Sequence, residues 1–193
     1  MKRVLLMGDS IRIGYQNEVK ELLKNECEVV FWDDNSRFIQ YHYWQLNQIF
    51  RHSPAIDIVH FNSGYWDMNI ESPMKEALNP IDEYCYGLEK VIKLIQSQKA
   101  IPIFANTVPI YRDGQGIDNT GIQASFTYKN EWVLSYNKAA EKVMKAHNIF
   151  INDLYSLLLK GDNYFKCPDG LHLSEEGNHL CALQVVSTIR RYL

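Results

Sequence analysis

No run of lysine and arginine occurs anywhere in the 193 residues; the densest basic spot is the pair Arg190-Arg191, and 23 acidic residues outnumber 20 basic ones. A protein that grips nucleic acid by displacing counterions needs a basic face, so that class of partner is not expected. Cysteine is sparse. Cys27, Cys85, Cys167 and Cys181 form no C-x-x-C pair and no His-containing ligand spacing, which speaks against a structural zinc and for reduced thiols. No stretch approaches the roughly 20 apolar residues of a membrane span. The opening run Val4–Met7 stops at Gly8, short of the roughly 7–15 apolar residues of a secretory signal. Internal repeats and low-complexity tracts are also missing. These absences predict a cytoplasmic protein that acts on a small molecule, without a nucleic-acid or membrane partner.

What is present is an apolar fraction of 46% and an aromatic fraction of 12%, enough for one domain over residues 1–193 with a full core. Short β-branched or aromatic runs occur at 3–7, 28–31, 57–61, 101–105 and 148–151, without clean in/out alternation. That pattern suits parallel strands covered on both faces. Between them, Tyr15, Val19, Leu22 and Leu23 follow helical spacing, as do Tyr84, Leu88, Val91, Ile92 and Ile95, and Trp132, Tyr136, Ala139, Ala140 and Val143. A weaker helix is predicted over 41–50, a short one over 154–160 and a last one over 175–192. Strands alternating with helices imply a three-layer α/β/α architecture with a five-stranded parallel sheet in flavodoxin-like order. Ligands in such sheets sit beyond the carboxyl ends of the strands. The connection at 106–126, punctuated by Pro109, Gly114, Gly116 and Gly121, is longer than an ordinary loop. It reads as a lid or substrate loop, or as a surface insertion without a role.

Strand one ends in Met7-Gly8-Asp9-Ser10 and a helix follows at once. Ser10 could be the helix N-cap. It could equally be a nucleophile whose own N–H, at a helix start, stabilises an oxyanion. Near the other end, Asp169 and His172 stand three apart in a Pro/Gly-containing loop, followed by Ser174 as a natural N-cap of the last helix. An activated serine needs a base and an acid that holds the base in one tautomer, and the chain order Ser, Asp, His is also that of α/β-hydrolases.

Together the blocks VLLMGDSI at 4–11, DIVHFNSGYWDM at 57–68 and DGLHLSEEG at 169–177 resemble the GDSL-type, or SGNH, hydrolase superfamily along the whole chain. The resemblance implies a metal-free, cofactor-free acylhydrolase on a three-layer α/β/α fold. It casts Ser10 as nucleophile, His172 as general base and Asp169 as the orienting acid. The middle block departs from the family. Where G-x-N-D is expected the chain reads Gly64-Tyr65-Trp66-Asp67, so Trp66 replaces an oxyanion-hole asparagine. The second block, Asp34-Asn35-Ser36-Arg37, lacks its glycine. The expected oxyanion donors are then Ser10, Ser36 and Asn62, with Asn35 a second possible replacement. Asn35, Tyr65 and Trp66 are the expected substrate contacts, with Tyr41, Tyr43, Trp44 and Tyr111 as either stacking walls or core.

Arg12 is read as an anion-binding group or a solvated helix residue, His60 as a core histidine, and Asp67 and Asp153 as caps. The expected activity is an esterase for a small acyl group on a polar alcohol, such as an acetylated sugar. Two rivals are a metal-dependent phosphoesterase using Asp9, Asp169 and His172, and a non-catalytic binding domain on the same scaffold.

Overall fold

The computed structural model describes residues 1–71, 73–111, 113–116, 126–166 and 170–193. Five strands pair in parallel in the order β2-β1-β3-β5-β8: β1 (Arg3–Met7), β2 (Glu28–Phe31), β3 (Ile58–Phe61), β5 (Ile101–Ala105) and β8 (Phe150–Asn152). This is the flavodoxin-like order that the alternation of periods predicts. The central strands are apolar on both sides, and every residue of β3 is buried, as helices on both faces require.

Helix α1 (Ser10–Leu23) packs against α7 (Glu175–Arg190) on one face. Helices α2 (Ile39–His52), α4 (Ile81–Ser97) and α5 (Asn130–Ala146) pack side by side on the other. Two short helices, α3 (Tyr65–Met68) and α6 (Leu154–Leu158), cap strand ends. Because α1 and α2 leave β1 and β2 toward opposite faces, a crevice opens at the carboxyl end of β1, the switch point of the sheet.

A second sheet is not foreshadowed by periodicity. β4 (Ile70–Glu71), β6 (Gly114–Gly116) and β7 (Phe126–Tyr128) pair antiparallel in the order β4-β7-β6. Within the connection expected as a loop at 106–126, residues 106–111 and 113 carry no strand, 114–116 form β6, and β7 begins at 126; 112 and 117–125 lie outside the described residues. No described helix is long and apolar enough to cross a membrane.

Candidate active site

Gly8 makes the turn out of β1 with φ at +156°, and a Cβ there would stand 1.8 Å from Asn62 Oδ1. Only glycine lets the end of β3 close so tightly over the end of β1. Asp9 follows as the N-cap of α1: it is 1% exposed and its Oδ1 accepts the Ile11 N–H at 3.0 Å. Burial pushes its carboxyl pKa up, and hydrogen bonding from Asn62 and Ile11 partly offsets this. The capping role thus falls to Asp9, and Ser10 opens the helix half-buried, at the position of the orphan N–H groups.

His172 arrives from the far end of the chain. Phe165 bridges Leu173, the Lys166 N–H donates to His172 O at 2.8 Å, and the Ser174 N–H donates to Tyr164 O at 2.9 Å. Ser174 then caps α7, accepting the Gly177 N–H at 3.1 Å. The first turn of α7 lies so close to this hairpin that a Cβ on Gly177 would meet Tyr164 O at 2.3 Å. Packing of α7 on α1 carries the hairpin to the mouth of β1, where His172 Nε2 stands 2.9 Å from Ser10 Oγ across 162 residues of sequence. That is hydrogen-bond distance, with a nitrogen suited to take the hydroxyl proton. Asp169, the expected orienting acid, lies outside the described residues.

The expected oxyanion donors fare differently. Ser36 requires a correction: its N–H donates to Gly8 O at 3.0 Å, and its hydroxyl accepts the Gly8 N–H at 3.3 Å. Both groups tie the β2–α2 loop to the end of β1. Asn35 Oδ1 accepts the Arg37 N–H at 2.8 Å in a local turn. Asn62 is 5% exposed; its amide lies over Gly8 and beside the Asp9 carboxyl.

Tyr65 is also corrected. It is 2% exposed and its hydroxyl donates to Val108 O at 2.6 Å and Pro109 O at 3.1 Å, so it is a core anchor rather than a substrate contact. Trp66 sits half-buried beside it on α3.

Arg12 is neither a solvated residue nor an anion receptor. Fully buried, it donates to Trp32 O at 3.1 Å, Gly8 O at 3.2 Å and Asp34 O at 2.8 Å, and to the Gln16 side chain. It stitches the exits of β1 and β2 together with charge-assisted bonds. Asp67 anchors the other side of the crevice. It accepts Ile39 N at 2.9 Å, Ser63 Oγ at 2.8 Å and Asn79 Nδ2 at 2.7 Å, so it caps α2 from a distance. Burial raises its carboxyl pKa to about 6 against the pull of those three donors. Asp153 caps α6 through Ser156 N, and His60 is a core histidine whose Nε2 meets Asn152 Nδ2 at 3.1 Å. Tyr41 donates to Asp34 at 2.7 Å and stacks on the exposed Trp44, while Tyr43 lies under Lys90.

No protein-family model matches the chain. A GDSL esterase/lipase of Oryza sativa subsp. japonica is 24% identical over 115 residues, 58% of this chain and 44% of the rice protein. The chain thus spans less than half the length of that relative. Among solved structures, the carbohydrate acetylesterase Est24 from Sinorhizobium meliloti is similar with a TM-score of 0.79 at 11% identity, covering 100% of both chains. A lipase/acylhydrolase from Enterococcus faecalis is similar with a TM-score of 0.75 at 22% identity, covering 100% of this chain and 97% of that one. With the Gly8-Asp9-Ser10 turn at the end of β1 and His172 ahead of the last helix, the chain has the fold of the GDSL, or SGNH, hydrolase superfamily.

Proposed function

We propose that the protein is a serine hydrolase that cleaves a carboxylic ester. The observation that carries this reading is the 2.9 Å contact between Ser10 Oγ and His172 Nε2 at the carboxyl end of β1. In the first half-reaction Ser10 Oγ attacks the acyl carbon while its proton passes to His172 Nε2. Negative charge then collects on the former carbonyl oxygen. The Ser10 N–H at the start of α1 stabilises it, with an N–H of the Asn62 amide as second donor. Collapse expels the alcohol, which takes the proton from His172, and leaves Ser10 acylated. Water repeats the attack with His172 again as base, releasing the acid and restoring the serine. Asp169 is assigned the role of orienting the imidazole on the strength of the superfamily resemblance alone.

The substrate class that fits best is a small acyl group on a polar alcohol, such as an acetylated sugar, with Trp66 as a wall of the mouth. The similarity to a carbohydrate acetylesterase supports it. Cys27, Cys85 and Cys181 are free thiols, and we assign the enzyme to the reducing cytoplasm on that ground. The metal-dependent reading loses support from Asp9, whose carboxyl is buried as a helix cap.

Hydrolysis of nitrophenyl esters from acetate to long acyl chains tests the proposal. Fastest turnover on acetate is expected, unaffected by chelator. Turnover that chelator abolishes, or that survives unchanged in both Ser10→Ala and His172→Ala, contradicts it.

A further inference from the structure

His172 sits at the neck of a narrow hairpin, and one residue from a different part of the chain grips both sides of that hairpin. The Tyr111 N–H donates to Gly170 O at 2.8 Å, on the arm that leads into His172. The Tyr111 ring stacks on Phe165, on the opposite arm, with centroids 6.1 Å apart and planes 26° apart. Phe165 in turn bridges Leu173, next to the imidazole-bearing residue.

Tyr111 is itself the end of a stiff arm. The buried Tyr65 hydroxyl holds Val108 O and Pro109 O. Asn130, at the first turn of α5, brackets Ile110 by accepting its N–H at 3.1 Å and donating to its carbonyl at 2.8 Å. A continuous line of packed and hydrogen-bonded groups therefore runs from the core through residues 108–111 to the arms that carry the base.

We propose that Tyr111 is a positioning residue for His172: it fixes the imidazole against Ser10 from outside the catalytic hairpin. The inference rests on the serine-hydrolase reading for its kinetic consequence, but its geometric claim stands apart. Misplacing a catalytic group by about 1 Å can cost ~10²-fold in rate. Loss of the ring should therefore lower turnover without weakening substrate binding.

The test uses the full chain with Tyr111→Ala and Tyr111→Phe. Nitrophenyl acetate kinetics are read together with the ¹⁵N imidazole resonances of His172, assigned by their loss in His172→Gln. In Tyr111→Ala we expect kcat to fall about 10- to 100-fold with KM changed less than about twofold, a displaced pH profile, and a shifted or broadened His172 signal, with the melting temperature near wild type. Tyr111→Phe keeps both the stack and the N–H, and should restore kcat and the resonance. An unchanged His172 signal in Tyr111→Ala overturns the proposal, as does a Phe variant as impaired as the Ala variant. If the wild type hydrolyses no ester, the proposed activity falls, while the imidazole spectra still decide the role of Tyr111.

Discussion

On one flank of Ser10 two whole elements of the fold do the positioning, while on the other everything depends on loop amides. The His172 flank is set by the packing of α7 on α1, the Phe165–Leu173 bridge and the cap at Ser174. Its product is a single well-formed contact. The proposed oxyanion flank carries Trp66 where the superfamily resemblance leads one to expect an asparagine, and the Ser36 N–H is engaged by Gly8 O. What is left there is the Ser10 N–H and an Asn62 amide that also serves the buried Asp9 carboxyl. The Ser10–His172 contact is thus kept by helix packing together with the Phe165–Leu173 bridge and the Ser174 cap. An oxyanion hole needs each donor to remain unengaged, and a loop that must satisfy its own backbone readily withdraws one.

The largest expected effect among variants that probe this contrast is at Asn62. If its amide is the second oxyanion donor, Asn62→Ala lowers kcat by roughly 10²–10³ with little change in KM, measured on nitrophenyl acetate. A loss under about threefold would mean that the hole stands on another group, and the contrast between the flanks would need redrawing.

Breaking the better-built flank should act through stability. A Cβ at Gly177 meets backbone, Tyr164 O at 2.3 Å, rather than a side chain that can swing away. Gly177→Ala is therefore expected to cost about 1–3 kcal/mol in urea unfolding. It should also reduce turnover, because the displaced hairpin carries His172.

A separate effect, on stability and not on turnover, is a shift in acid stability away from both flanks. His42 is fully buried, and among the described residues neither ring nitrogen has a hydrogen-bond partner; burial pushes its pKa down to about 3, and His60 is held down at about 4 for the same reason. Both are neutral when folded and take up a proton when unfolded below about pH 6.5. Stability is accordingly fully present above that pH, and falls as the pH drops toward 4 by up to about 1.4 kcal/mol per pH unit per histidine. His42→Phe, which keeps the edge contact to Phe61, should flatten that slope by about half between pH 6 and 4, read by thermal melting, and leave turnover untouched.

Much of this architecture is legible in the residues themselves. Five apolar runs and the helical spacing between them locate the sheet and its order, because a strand buried on both faces must be apolar on both. Ser10 and His172 are legible as two motif blocks, one at the end of β1 and one just ahead of the last helix, which the resemblance pairs and the fold brings to 2.9 Å. The small sheet is not, since strands of two or three residues, two of them glycines in β6, carry no alternation to read. Arg12 is the sharpest failure. An arginine in a first helical turn looks solvated, and its burial follows only from where three loop carbonyls end up. The same applies to Ser36 and Tyr65, whose roles depend on which backbone group stands opposite, a fact fixed by tertiary structure.

The central claim is that Ser10 and His172 work as one nucleophile and base, and covalent capture tests it most directly. The wild type is treated with a fluorophosphonate, and the modified peptide is identified by mass spectrometry beside Ser10→Ala and His172→Ala. The account predicts a single adduct on Ser10, none in the serine variant, and capture slowed by at least ~10²-fold in the histidine variant. Folded wild-type protein that takes no label at Ser10, or labels equally fast without His172, would contradict it.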